Sequence, residues 1–269
     1  MVDHNPRASS SLSRRLLAGV FCICVASLSS AARTLEDSKK HPSILRMKID
    51  SFYVQNADIE EALRVLRRND YTEILFGLEK VPRWWEGAEP TPITLRLNKP
   101  SLGEVLNKLC EIDQRYTYEV IDDTLIHVFW KGAKDDPSNL LNMKIRTFSV
   151  HGNYTPGGVI VKTGEFAPEL RAYLQEKRRQ YHAQRGIPPG SPGHNMRGNM
   201  TPEFHLDLEN STVREILNAI VLYSRERYLE RPPDPTGWRQ PPTSWMYEFI
   251  IKSDAPTGLG GIPRWGTLD

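Results

Sequence analysis

Trp84 and Trp85 stand side by side in Pro82-Arg83-Trp84-Trp85-Glu86-Gly87-Ala88-Glu89-Pro90. Neighbouring side chains of an extended backbone point to opposite sides. One indole can then pack on the fold while the other stays exposed, and exposed aromatics anchor protein interfaces or stack on sugars. Trp84 and Trp85 are the candidate interaction site.

The other chemistry-bearing residues point to structure. His41, His127, His151, His182, His194 and His205 show neither H-x-x-x-H nor H-E-x-x-H spacing, and there is no cysteine cluster to join them. His205 and Asp207 alternate onto one face of an expected strand, and His127 lies in another. On that basis no metal ligand is assigned, and surface strand positions are expected. Cys110 follows Leu109 at the end of a helical stripe, which predicts a buried and inert thiol. Asp122-Asp123 and Asp135-Asp136 read as turn carboxylates, the second pair running into Pro137. Lys177-Arg178-Arg179 through Arg185 reads as a basic helix end that complements the helix dipole. No G-x-S-x-G, S-x-x-K or phosphate loop occurs. No catalytic or cofactor-binding residue is assigned, and no cofactor is expected.

One strand–helix unit recurs three times and must position all of these. Ile93-Thr94-Leu95-Arg96-Leu97 aligns with Phe204-His205-Leu206-Asp207-Leu208, and Phe52-Tyr53-Val54 is the shorter first copy. Each strand alternates apolar and polar residues. Each is followed by a cap residue with Glu three positions on: Asp58/Glu61, Ser101/Glu104 and Thr212/Glu215. Apolar stripes at i, i+3, i+4 and i+7 follow: Ile59, Ala62, Leu63, Leu66; Leu102, Val105, Leu106, Leu109; Val213, Ile216, Leu217, Ile220. Asp122-Asp123 turns the chain into a β-hairpin, so residues 48–131 read β-α-β-β-α-β-β. Helices on one face of short mixed sheets would bury the stripes, an α+β arrangement. In the second half Met143–Val150 and Trp245–Ile251 read as strands and Pro168–Gln184 as a helix.

Composition limits the classes further. The chain has 269 residues, 39% hydrophobic and 25% charged, as expected for one or two globular domains. Arg14-Arg15 precede the apolar run Leu16–Leu28, and Ser29-Ser30-Ala31-Ala32 follow. A charged flank, a short apolar core and small residues predict a secretory signal peptide over 1–31, cleaved near Ala31 or Ala32. Removing 1–31 takes away three Arg and one Asp, leaving 32 basic and 32 acidic side chains. A neutral mature chain predicts no nucleic-acid partner, and with the signal cleaved no stable membrane span is expected. Cys22 and Cys24 also leave with the signal, so an internal disulfide is not expected.

Residues 48–131 resemble the short domain found at the N-terminus of secretins and of TonB-dependent signalling receptors. The resemblance runs through Phe52-Tyr53-Val54, Asp58-Ile59-Glu60-Glu61-Ala62-Leu63, Ile93-Thr94-Leu95-Arg96-Leu97-Asn98 and Ser101-Leu102-Gly103-Glu104-Val105-Leu106. It continues through Tyr116-Thr117-Tyr118-Glu119-Val120 to Thr124-Leu125-Ile126-His127-Val128. Residues 143–252 resemble a second, partial copy. The insert carrying Trp84 and Trp85 is longer than the family's usual turn. The resemblance implies protein–protein contact in the periplasm and no catalytic residues.

The expected organisation is a signal peptide over 1–31, a linker over 32–47, the short-domain-like module over 48–131 and a linker over 132–142 with some freedom. A second partial module over 143–252 and a flexible tail over 253–269 follow. The expected function is an exported, periplasmic or extracellular, non-enzymatic adaptor that binds an envelope protein. The alternative from another class is a secreted hydrolase or cell-wall glycan-binding protein, motivated by the Trp pair and the strand histidines.

Overall fold

The computed structural model describes residues 43–68, 74–82, 89–185, 203–230, 242–251 and 261–268, all within the compact unit Pro42–Asp269. In the first half, strand β1 (Ser51–Ala57) leads into helix α1 (Ile59–Arg68) and strand β2 (Leu75–Glu79). Strand β3 (Ile93–Asn98), helix α2 (Leu102–Ile112) and the hairpin of β4 (Tyr116–Ile121) and β5 (Leu125–Trp130) follow. This is the element order the sequence predicts for 48–131. The hairpin loop Asp122-Asp123-Thr124 joins the paired Ile121 and Leu125, with Asp122 (φ 50) and Asp123 (φ 45) both in the left-handed region that Asp tolerates better than most residues.

The second half opens with β6 (Lys144–Asn153), the short helices α3 (Pro156–Val161) and α4 (Thr163–Phe166), and α5 (Pro168–Arg185). It continues with β7 (Glu203–Thr212), α6 (Val213–Glu230), β8 (Trp245–Ile251) and β9 (Gly261–Thr267). The fold is α+β with several small sheets.

All three expected helix caps form. The Glu61 N–H donates to Asp58 Oδ1 (2.8 Å). At α2 the Glu104 N–H donates to Ser101 Oγ (3.2 Å), and the Ser101 N–H donates back to the Glu104 carboxylate. At α6 the Glu215 N–H donates to Thr212 Oγ1 (3.2 Å), and the Thr212 N–H donates to Glu215 Oε2 (2.7 Å). Each reciprocal pair satisfies two donors that a helix start leaves open.

The strands form two ribbons and one central sheet. β1 pairs antiparallel with β3, and β6 antiparallel with β7. The central sheet has the order β4-β5-β2-β8-β9. Within it β2 runs parallel to both β5 and β8, while β4 and β9 are antiparallel to their neighbours.

Every residue of β2 is buried, because this sheet is covered on both faces. Phe76, Leu78, Ile126, Val128 and Met246 point into a first core with Ala62, Leu63 and Leu66 of α1 and Val105, Leu106 and Leu109 of α2. Leu75, Leu125, Trp245 and Tyr247 point the other way, into a second core with Phe148 and Val150 of β6 and Ile216, Leu217 and Ile220 of α6. Each fully buried leucine in these stripes contributes roughly 2 kcal/mol of transfer free energy.

Four features differ from the sequence expectation. Helices cover one face of the central sheet from the first half, and α6 of the second half covers the other. β8 does not close a second sheet within 143–252 but joins β2 of the first half. Ser244 Oγ accepts from the Phe76 N–H (2.9 Å), and Arg67 Nη2 donates to the Pro242 carbonyl (2.6 Å), docking the approach to β8.

The other two differences concern the expected linker and tail. The 132–142 segment is not free. Asn139 Nδ2 donates to the Ala133 carbonyl (2.9 Å), Asn142 Nδ2 to the Asp136 carbonyl (2.7 Å), and Leu140 and Leu141 are buried. The tail expected over 253–269 contains β9. Its Gly and Pro content reads as loop, yet it pairs with β8 at the sheet edge, where the missing N–H of Pro263 is tolerated. Leu268, just beyond it, is buried in the first core. The signal peptide and the Trp84–Trp85 pair lie outside the described residues.

Candidate functional site

The face of the central sheet that meets α6 carries a buried polar cluster. Glu79 ends β2, His127 sits in β5, and both side chains have 0% exposure. Strand pairing sets Gly77 beside His127 on one side and beside Trp245 on the other. The Trp245 indole lies over Gly77, where a Cβ would come within 2.5 Å of Trp245 Cε2. With that space open, the indole reaches His127 at a centroid distance of 5.4 Å.

α6 supplies a second, polar stripe beside its apolar one. Arg214 engages both oxygens of Glu79, through Nε on Oε1 and Nη2 on Oε2 (3.1 Å), and donates from Nη1 to Asn142 Oδ1 (2.6 Å). Asn218 Oδ1 accepts from Trp245 Nε1 (2.8 Å), and Ser224 Oγ accepts from the Thr243 N–H (3.2 Å). Asn139 Nδ2 adds a further donor to Glu79 Oε2 (3.1 Å). A buried carboxylate needs this many partners to remain charged.

His127 lies between two carboxylates. Nδ1 is 3.1 Å from Glu119 Oε1, and Nε2 is 2.8 Å from Glu79 Oε1, off the hydrogen-bond axis. Lys134 closes the chain on Glu119. Burial alone would push the Glu79 carboxyl up, but His127 and Arg214 together hold it down at about 2. Hydrogen bonding from His127, aided by Lys134 against partial burial, holds Glu119 at about 2 as well. Glu79 and His127 are fully buried, and the bonds from Arg214 to Glu79 tie the two halves of the chain together as a clamp.

A second polar cluster lies in the open on the β6–β7 ribbon. His151 stands directly opposite His205, and Ser149 opposite Asp207. All four are on the face turned away from Phe148, Val150 and Phe204. His151 Nε2 is 2.9 Å from Asp207 Oδ1, Ser149 Oγ donates to the same oxygen (2.6 Å), and the two Nδ1 atoms of the histidines are 3.0 Å apart. The Ser149 hydroxyl, then His151, hold the Asp207 carboxyl below its usual range.

The insert that carries Trp84 and Trp85 is anchored at both flanks. The Val81 N–H donates to the Tyr116 hydroxyl (3.0 Å) before it. After it, Arg115 donates from Nη1 to the Glu89 carbonyl (3.0 Å) and from Nη2 to Thr91 Oγ1 (3.0 Å), while Asp113 Oδ2 holds the same guanidinium (2.7 Å). Cys110 is half-buried, and burial pushes its thiol up to about 11, an unreactive state.

The structure thus brings His205 and Asp207 onto one face, as strand alternation predicts. It does not bring them to His127, which belongs to the buried clamp. His151, as the cross-strand partner of His205, and the Glu79–Arg214 pair are what sequence reasoning missed. Among the described residues no three or more His, Cys, Asp or Glu side chains surround a common metal position, and no helix is long and apolar enough to cross a membrane.

Fold and clusters define an α+β protein whose halves share one sheet and are joined through a buried ionic clamp. No family model, curated protein or solved structure matches the chain.

Proposed function

We propose that this chain is an exported, non-enzymatic adaptor of the bacterial cell envelope, released from its signal peptide near Ala31 or Ala32, that binds a partner protein. The observation that carries this reading is the threefold strand–capped-helix unit at β1–α1, β3–α2 and β7–α6, of the kind seen in the secretin and TonB-receptor short domain.

Two features support a binding role. β4 pairs only with β5 among the described strands. The Lys131 N–H donates to the Arg115 carbonyl (2.8 Å), which fixes the ladder's alternation and turns the backbone groups of Tyr118 and Val120 away from β5. An edge of this kind accepts an added strand from a partner. The Trp84–Trp85 insert begins and ends on residues held by Tyr116 and Arg115, the first residue of β4 and its predecessor. The described flanks of the insert, Val81 on one side and Glu89 and Thr91 on the other, are therefore held at the start of β4.

The test is affinity capture from envelope extract with the exported chain beside a Trp84→Ala/Trp85→Ala copy. The expected result is one envelope protein retained at fixed stoichiometry and lost by the double variant. Retention of wall glycan alone contradicts the adaptor reading and favours the glycan-binding class.

A further inference from the structure

We propose that His151 and His205 form a two-histidine binding site for a tetragonal divalent transition metal ion, copper(II) above all, on the outer face of the β6–β7 ribbon.

The backbone sets the pair. His151 and His205 are directly opposed in the antiparallel register, so both rings rise from one face of the ribbon. Their Nδ1 atoms face each other at 3.0 Å, with ring centroids 5.2 Å apart. A bond length of about 2.0 Å to each nitrogen across that gap gives a ligand–metal–ligand angle of roughly 90–100°. This is the angle between neighbouring positions of a square-planar or tetragonal ion. Tetrahedral zinc would need the nitrogens several tenths of an ångström further apart. Imidazole nitrogens in tetragonal arrangement select copper(II) or nickel(II), and copper(II) binds most tightly in the divalent series.

The carboxylate beside the pair has the role that metal-binding histidines require. Asp207 Oδ1 lies 2.9 Å from His151 Nε2, on the side of the ring away from His205. By accepting the Nε2 proton it leaves the His151 Nδ1 lone pair free for the ion, while the Nδ1 proton that His205 places in the gap is lost from Nδ1 to solvent as the ion enters, His205 then keeping its ring proton on Nε2; the Ser149 hydroxyl at 2.6 Å holds the carboxylate in place. Asp207 is thus a positioning residue. Two ligands come from the protein, and the remaining positions stay open to solvent, since the His151 side chain is 53% exposed.

The test is a titration of the full chain with copper(II) alone, followed by electron paramagnetic resonance, with nickel(II) and zinc(II) in parallel. The expected result is one tetragonal copper per chain with hyperfine splitting from two nitrogens, and zinc(II) at least tenfold weaker. His151→Ala and His205→Ala each abolish the two-nitrogen signal. Asp207→Asn keeps it but weakens affinity by about tenfold or more. His205→Gln, with its far-UV circular dichroism matched to the native chain, separates loss of the ligand from loss of the fold. Copper affinity and spectrum unchanged in His151→Ala/His205→Ala, or no copper bound by the native chain, would overturn the proposal.

Discussion

Arg214, the second residue of α6, grips both carboxylate oxygens of Glu79 at the end of β2, across 135 positions of sequence. Neither side chain has open access to water: Glu79 is 0% and Arg214 10% exposed. The pair ties the helix layer of the second half to a strand of the first. Removing one partner leaves a buried charge without compensation, so Arg214→Met is expected to cost about 3–5 kcal/mol in urea unfolding. Glu79→Met/Arg214→Met should recover part of that loss. A double variant as unstable as the sum of the two single ones would show that the pair is not coupled.

The same clamp gives the fold an acid limit. The Glu79 carboxyl is held at about 2 against an ordinary 4.5, so its charged form is favoured in the folded chain. Its contribution is present in full above pH about 4.5 and is lost as pH falls towards about 2, an order of 3 kcal/mol in total. Glu119 is shifted in the same direction and adds to the same window. Chemical denaturation between pH 6 and about 2.5 should show the midpoint falling below pH about 4.5. In Glu79→Gln that part of the slope should flatten.

Gly77 is tied to Trp245 by space alone. The indole over it is fully buried and pinned by Asn218, so it has no room to retreat from a new methyl group. Gly77→Ala should cost about 1–3 kcal/mol by overpacking and shift the fluorescence of the buried Trp245. An unchanged midpoint and spectrum would contradict this packing.

Ser101 provides a milder, local test. Its hydroxyl caps α2 from an exposed position, with Glu104 returning the bond. Ser101→Ala should cost about 1 kcal/mol and leave the fold otherwise intact. Thermal unfolding of the variant measures this, and no loss would mean that the cap contributes nothing.

Local features of the fold were legible in the sequence. Caps, stripes and the hairpin turn are encoded within a few residues of one another, and the alternation of β7 already put His205 and Asp207 on one face. What escaped was long-range. Strand pairing decides that His151 meets His205, and that β9 finds order on β8 despite its Gly and Pro. Asn139 and Asn142 lock the expected linker through partners that a Pro- and Asp-rich stretch does not announce. One signal for the clamp was present. Leu75-Phe76-Gly77-Leu78 lacks alternation, as a strand covered on both faces does, so the Glu79 that follows had to be buried and paired. Its partner sits at a helix position that the apolar stripe leaves out, and only the packing of α6 on the sheet identifies it.

The central claim, that a partner strand adds to the β4 edge, is tested most directly by amide hydrogen exchange on the chain with and without its captured envelope partner. The account predicts that the Tyr118 and Val120 amides, which face away from β5, slow by tenfold or more on binding, and that Val120→Pro abolishes capture without unfolding the chain. Exchange at Tyr118 and Val120 that stays the same with partner bound, or full capture by Val120→Pro, would contradict it.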